Sequence, residues 1–226
     1  LDTRRAESFG GGHVPGTINI PLNRSFNTWA GWLLPYDADF YLIVDKESPT
    51  ALDEAARDLS MIGLDRIAGY FGSDAVGLGA TGGRTLETIP QISAEDAIRI
   101  VQVGGAAVVD VRGQVEWEEG HVPGVPNIPL GYLRDRMDEI PRDRPVVLHS
   151  QGAGRSSIAA SVLQAHGFNN VSNLAGGFTE LVPLFATALA AVAAFRRVPQ
   201  LRIALPLLLL VDLGATTLFY NPPVTR

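Results

Sequence analysis

The chain has 226 residues, 46% hydrophobic and 19% charged, which is typical of a globular protein with room for one large domain or two small ones. Its net charge of −6 argues against nucleic acid as a partner. The absence of cysteine excludes disulfide bonds, thiolate metal sites and thiol catalysis, and the four histidines are too scattered to indicate a metal site. No metal and no cofactor are therefore expected.

The chain contains an internal repeat. Residues 1–4, 12–16 and 19–22 return as 109–112, 120–124 and 127–130, each 108 residues further on, and residues 42–44 return as 146–148 at a spacing of 104. Two constant spacings do not arise by chance, so the sequence predicts two copies of one α/β unit. We call residues 1–75 the first repeat and residues 91–180 the second repeat.

Each repeat predicts a parallel sheet flanked by helices, since short apolar strands alternate with helical patterns. In the second repeat a connecting helix is expected over Leu130–Ile140 and a strand over Val146–Leu148. A helix from Ser156 to His166, ended by Gly167, and a final strand over Val171–Leu174 complete the unit.

Two further segments lie outside the repeats. Residues 76–90, at the end of a stretch rich in glycine and threonine, predict a linker. Residues 181–226 form an apolar tail with two apolar runs. The first is short for a membrane span, and the second is marginal because Asp212 and Pro206 interrupt it. A membrane hairpin over 181–220 is one interpretation; a tail that packs on a partner protein, or an aberrant C-terminus, is the other.

The loop Ser150–Arg155 joins the predicted central strand to the predicted long helix. Gly152 and Gly154 are free to adopt backbone angles that other residues avoid. A strand, a tight loop and a helix N-terminus direct several N–H groups and the helix dipole to one place, which predicts an anion site. Ser150 stands at the nucleophile position of this site.

The second repeat contains Asp110-Val-Arg112, Glu119-Gly-His121-Val-Pro-Gly124, Asn127-Ile-Pro129, the loop before Arg155-Ser156, and Ala175-Gly-Gly-Phe178. Together these motifs resemble those of a rhodanese domain. A tandem pair with a degenerate first copy also resembles the C-terminal part of proteins that join a metallo-β-lactamase-like hydrolase domain to rhodanese repeats. That domain would lie upstream of Leu1, and the first repeat is interpreted as N-terminally truncated.

The resemblance implies that a loop cysteine takes sulfane sulfur from a donor such as thiosulfate and holds it as a persulfide. In this chain Ser150 stands at the cysteine position, and Gln151, Gly152, Ala153, Gly154, Arg155 and Ser156 are the implied substrate-binding residues. A serine cannot form a persulfide and needs a general base to act as a nucleophile. Neighbouring residues at a strand end point to opposite faces, so His149 is not expected to supply that base.

The remaining polar residues are assigned as follows. Asp110, Arg112 and His121 are expected to be structural, and Glu116 to lie on a solvated face. Arg155, a cation at a helix start, predicts a bound ligand or a partner carboxylate. In the first repeat the corresponding loop is aligned as Lys46–Leu52, without glycine or arginine, and is expected to be structural only.

Two functions remain open. The first is a sulfurtransferase-family protein of sulfane-sulfur metabolism that is inactive because of Ser150, with a small sulfur-containing anion or a persulfide as its ligand. The second is a non-catalytic module that binds anions or proteins and is anchored by its tail. The expected location is cytoplasmic, with membrane association through the tail as the alternative.

Overall fold

A computed structural model of the chain describes residues 1–181 apart from residues 82, 84, 103 and 123. The predicted tail beyond Leu181 lies outside the described residues, as does Pro123 of the second Gly-His-Val-Pro-Gly turn. Within the described part, no helix has both the length and the apolar character needed to cross a membrane.

The first half of the chain forms a small parallel sheet with helices around it. Its elements are α1 (Ala6–Gly11), α2 (Phe26–Leu33), β1 (Phe40–Val44), α3 (Ala51–Ser60), β2 (Ile67–Gly72) and α4 (Asp74–Thr81). β1 and β2 pair in parallel, and Asp2 adds a parallel bridge to Ile43. α4 occupies residues 76–81 of the predicted linker, and the linker itself stays a prediction. The sequence signal for this helix was Asp74, an acidic residue in the first turn of a short apolar segment.

The second half forms a four-stranded parallel sheet in the order β3-β6-β5-β4. Its elements are β3 (Gln91–Ile92), α5 (Ala94–Gln102), β4 (Ala107–Asp110), α6 (Gln114–Glu119), β5 (Val146–His149), α7 (Gly154–Ala165) and β6 (Val171–Leu174). Parallel strands with helical crossovers confirm the predicted α/β class. Every residue of α7 from Ser156 to Leu163 is buried, so this helix is central to the fold.

The connecting helix predicted over Leu130–Ile140 is not continuous. Two 3₁₀ turns, Leu130–Tyr132 and Met137–Glu139, replace it. The N–H of Leu130 donates to Val111 O at 3.2 Å, and Leu133 and Ile140 are buried, so the segment is held at several points along the sheet. Tertiary contacts of this kind override a weak helical preference.

The two sheets correct the alignment of the repeats. Thr3 N–H donates to Ile43 O, and its equivalent Val111 N–H donates to His149 O, both at 2.9 Å. Ile43 therefore stands where His149 stands, and the strand spacing is 106 residues instead of 104. Val44, and not Lys46, occupies the position of Ser150. The all-apolar run of β1 carries no polar residue that could have fixed this register.

One hydrophobic core runs through both halves. Phe9, Ile20 and Leu42 from the first half belong to the same buried cluster as Leu148 and Val162 from the second. Polar contacts also cross between the halves. Asn19 N–H donates to the Ser161 hydroxyl at 2.9 Å, although the two residues are 142 positions apart.

Replacing this hydroxyl is expected to weaken the whole protein. Ser161→Ala leaves the buried Asn19 N–H without an acceptor, and we expect a loss of about 1.5 kcal/mol in the free energy of unfolding. Urea titration followed by circular dichroism measures this loss. Ser60→Ala on the exposed end of α3 is the control, with an expected change below about 0.5 kcal/mol. Equal effects in the two variants would contradict the assigned role of Ser161.

Candidate anion-binding site

Ser150 follows β5 directly and lies at the N-terminus of α7. Its side chain is buried, with 1% of its surface exposed. The hydroxyl donates to Gly152 O and accepts from Ser156 N–H at 3.2 Å. Ser150 Oγ thus lies where the first turn of α7 directs its N–H groups. Through its two hydrogen bonds it joins Gly152 of the loop to Ser156 of the helix.

The carbonyls of Ser150 and Gln151 are turned away from this point by the segment after β6, whereas Gly152 O faces it. Ser150 O accepts from Phe178 N–H at 2.7 Å, and Gln151 O accepts from the Thr179 hydroxyl at 2.7 Å. In a trans peptide the carbonyl and the following N–H point in opposite directions. The N–H groups of Gln151 and Gly152 therefore face away from Phe178 and Thr179.

These N–H groups are free to bind a ligand. Within the described residues, no acceptor is recorded for the backbone N–H of any residue from Gln151 to Arg155. Gln151, Gly152 and Gly154 are exposed, so the solvent satisfies these donors. Free backbone N–H groups beside the positive end of a helix dipole are the kind of donors that a small anion needs.

Gly152 and Gly154 do not have the role predicted for them. Neither has a positive φ, whereas Gly177 has φ +63°. A Cβ on Gly152 or Gly154 would meet nothing within 4 Å, so these glycines keep the space above the loop open. A Cβ on Gly177 would collide with Ser150 O and would lie 2.7 Å from Gly152 O, so Gly177 lets β6 approach the loop from behind.

Arg155 pairs with Glu116 across the mouth of the loop. Both guanidinium NH groups reach this carboxylate, with Nη2 at 2.6 Å from Oε1, and Glu116 also accepts from Gly113 N–H at 3.1 Å. The hydrogen bond from Arg155 is the main cause that lowers the pKa of Glu116. The expectation of a partner carboxylate for Arg155 agrees with this geometry, and Glu116, expected on a solvated face, is partly exposed but also forms this ion pair. No local pattern joins residues 39 positions apart.

The Arg155–Glu116 pair predicts a pH-dependent contribution to stability. Because the pKa of Glu116 is lowered on folding, its contribution is present above the unfolded value and is lost as pH falls through the folded value. Since both side chains are partly exposed, Glu116→Gln is expected to cost only about 0.5 kcal/mol at pH 7. In thermal unfolding the difference between variant and parent should shrink as the pH falls below about 4.5, and a difference that does not depend on pH would contradict the assignment.

A buried polar layer supports the loop from below. Arg112 and Asp110 form an ion pair at 2.7 Å, and Arg112 also donates to Gly120 O at 2.7 Å. The Arg112 guanidinium lies 3.9 Å above the Phe178 ring. Arg112 Nη1 is 3.5 Å from Gln151 Oε1, so the layer reaches the loop itself.

His149 belongs to this layer. Its ring is fully buried and stacks toward Phe178, with 6.2 Å between the ring centroids. Nε2 lies 3.8 Å from Asp110 Oδ2, and neither ring nitrogen has a hydrogen-bond partner in the described part of the chain. Burial is the main cause that lowers the pKa of His149, although the nearby carboxylate opposes it. A general base for Ser150 is not found here.

His121 and His13 occupy equivalent structural positions. The His121 ring stacks on Trp117 and the His13 ring on Phe9, each with centroids 3.7 Å apart. The Nδ1 atoms bond to Trp117 O at 2.9 Å and to Phe9 O at 3.0 Å. The same contact in both repeats indicates that these histidines shape a turn.

The first-repeat loop between β1 and α3 lacks the features of an anion site. Two more residues separate strand from helix here than in the second repeat, as the corrected register shows. Asp45 accepts from the N–H of Glu47 at 3.1 Å, and Lys46 pairs with Asp74 at 3.4 Å. Across the described residues, no cluster of three or more histidine, aspartate or glutamate side chains could hold a metal ion.

The comparisons with known proteins identify the family. The model of the rhodanese-like domain matches residues 93–182. A sulfurtransferase of Allochromatium vinosum is 34% identical over 79 residues, which are 35% of this chain and 74% of that protein. The chain belongs to the rhodanese-like family.

Other relatives match over a smaller share of their length. The uncharacterized protein YqhL of Bacillus subtilis is 45% identical over 73 residues, which are 32% of this chain and 58% of that protein. The putative sulfur carrier protein YrkF of the same species is 32% identical over 41% of this chain. The matched part is about half (51%) of the length of YrkF. A rhodanese-related protein of Thermoplasma volcanium has 26% identity and a TM-score of 0.38, over 42% of this chain and 91% of that structure.

Proposed function

We propose that this protein is a rhodanese-like module that binds a small sulfur-containing anion, such as thiosulfate or sulfite, without forming a persulfide. One observation carries the proposal. Ser150 Oγ lies at the N-terminus of α7, where the backbone N–H groups from Gln151 to Arg155 are free, but oxygen cannot hold sulfane sulfur as a thiol does. The site keeps the means to bind an anion and lacks the atom that would transfer sulfur.

Serine nucleophilic catalysis is not favoured by the surroundings of Ser150. A serine needs a general base within hydrogen-bond reach. Within the described residues, the recorded partners of Ser150 Oγ are Gly152 O, the Ser156 hydroxyl and Ser156 N–H, none of which is basic. Binding therefore accounts for this site better than hydrolysis does.

We also propose that the chain is a tandem pair in which the first repeat is structural. Equivalent contacts support this: Arg4–Asp2 and Arg112–Asp110 both pair at 2.7 Å, and the histidine stacks recur. The names of the relatives, a sulfurtransferase and a sulfur carrier, support a proposed ligand from sulfane-sulfur metabolism. An upstream metallo-β-lactamase-like domain stays a prediction, as does the membrane or partner role of the tail.

Isothermal titration calorimetry with sodium thiosulfate tests the proposal. The parent chain should bind thiosulfate and produce no thiocyanate from thiosulfate and cyanide. Arg155→Gln should weaken binding about tenfold, because it removes the guanidinium at the loop mouth. Arg66→Gln makes the same charge change at an exposed pair with Asp39 and should leave binding unchanged.

Three results would contradict the proposal. They are the absence of thiosulfate binding to the parent chain, equal losses of affinity in the two arginine variants, and thiocyanate production by the parent chain. Each of these is measured on the intact 226-residue chain.

A further inference from the structure

A pocket lies beside the loop at the start of α7, between the two halves of the chain. It has a volume of about 410 Å³, which is large enough for several non-hydrogen atoms of a ligand. Its lining includes Ala153, Gly154 and Ser157 from the second repeat, and Glu7 and Gly10 of α1 from the first. Because Ala153 and Gly154 belong to the loop, the pocket adjoins the proposed anion site.

Backbone hydrogen bonds hold α1 in place at this pocket. Ile89 N–H donates to Gly10 O at 2.9 Å, and Ile89 itself lines the pocket. Just beyond the helix, His13 and Glu87 exchange two backbone hydrogen bonds, each at 3.0 Å. The helix also contacts α7 directly. The fold therefore fixes α1, and with it Glu7, beside the loop.

Two side chains present unpaired polar groups to the pocket. Glu7 is exposed, and no ion pair or hydrogen bond of its carboxylate is recorded within the described residues. Gln91 Oε1 accepts from Asn173 Nδ2 at 2.9 Å, while its own amide nitrogen has no recorded acceptor in the same part of the chain. The Ser157 hydroxyl, by contrast, is satisfied, because it donates to Ala153 O and accepts from Asn173 Nδ2, both at 2.8 Å. Glu7 thus supplies the only charged group among the described lining residues of this pocket.

The equivalent helix of the second repeat has a different surface. At the spacing of 108 residues, Glu7 corresponds to Val115 and Gly10 to Glu118. The acidic residue and the small residue that line the pocket are therefore not required by the shared fold. A carboxylate beside an anion site repels a ligand that is negative along its whole length, and it favours one whose far end is positive.

We propose that Glu7 binds the ammonium group of a zwitterionic ligand whose anionic sulfur group lies in the loop at Ser150. This inference rests on the proposed function, because the loop must hold the anionic end. S-sulfonates of amino thiols are ligands of this class, since a short carbon chain separates their ammonium group from the sulfur. The first repeat then contributes a side chain that contacts the ligand, while its own β1–α3 loop stays structural.

Two compounds of the same shape test this inference. S-(2-aminoethyl) thiosulfate carries an ammonium group where S-propyl thiosulfate carries a methyl group. The parent chain should bind the aminoethyl compound about fivefold more tightly, which is the effect of a single exposed ion pair. In Glu7→Gln the two compounds should bind equally, because an amide has no charge to pair with the ammonium group. Glu47→Gln makes the same charge change in the exposed β1–α3 loop, outside the pocket lining, and should keep the preference.

Isothermal titration calorimetry on the intact chain keeps this inference separate from the proposed function. Binding of thiosulfate and S-propyl thiosulfate, without a preference for the aminoethyl compound, would overturn the role of Glu7 and leave the anion site standing. A preference that persists in Glu7→Gln would overturn that role as well. Failure of all three compounds to bind would contradict the proposed function, and this inference with it.

Discussion

Ser150→Cys is expected to convert the chain into an active sulfurtransferase. A thiol at this position accepts Ser156 N–H at the start of α7, and a helix N-terminus lowers the pKa of a thiol, so that thiolate is present at neutral pH. The thiolate attacks the outer sulfur of thiosulfate, the S–S bond breaks and sulfite leaves. Cyanide then takes the outer sulfur from the persulfide, which yields thiocyanate and restores the thiolate.

Thiocyanate formation measures this gain, which we expect to exceed the parent rate by at least about 100-fold. Ser48→Cys is the matched control, because it places a single thiol at an exposed position of the first-repeat loop. The thiolate introduced by Ser150→Cys cannot donate to Gly152 O as the serine hydroxyl does, so that carbonyl is released from its inward contact. An inert variant whose thiol still titrates below its usual pKa of about 8.5 would show that the pocket does not admit thiosulfate.

Gly177→Ala is expected to be the most destabilising single change near the site. An alanine at φ +63° costs about 1–2 kcal/mol. Its Cβ also collides with two backbone oxygens, Ser150 O and Gly152 O, which cannot move aside as a side chain would. We expect a total loss of about 3 kcal/mol in the free energy of unfolding, since overpacking adds to the backbone strain.

Gly154→Ala is the control for this prediction. Gly154 has no positive φ, and a Cβ there meets nothing within 4 Å, so the change should be neutral or stabilising by up to about 1 kcal/mol. Chemical denaturation of both variants gives the comparison. A stable Gly177→Ala protein that still binds thiosulfate would show that the loop does not depend on close support from β6.

The central parts of the site could be predicted from the sequence because their signals are local. β5 is a short β-branched run, α7 begins after a glycine loop, and Gly167 ends it with φ +84°. The family motifs then indicated that Ser150 stands at the position of the catalytic cysteine.

The features that the sequence did not predict depend on contacts between residues far apart in the chain, or on an apolar run that fits more than one register. Glu116 meets Arg155 only after α6 packs beside the loop, and Gly177 reaches Ser150 only through the end of β6. β1 consists of five apolar residues, so a shift of two residues kept the inside–outside alternation and was not visible in the sequence.

The continuous core has a consequence for how this chain can evolve. Leu42 and Phe9 of the first repeat pack in one cluster with Leu148 and Val162, which flank the Ser150 loop in the second. A substitution that loosens the first repeat therefore lowers the fraction of molecules with an ordered loop, even though it touches no ligand. Selection for a working second repeat is enough to preserve the first, while the exposed β1–α3 loop is free to drift.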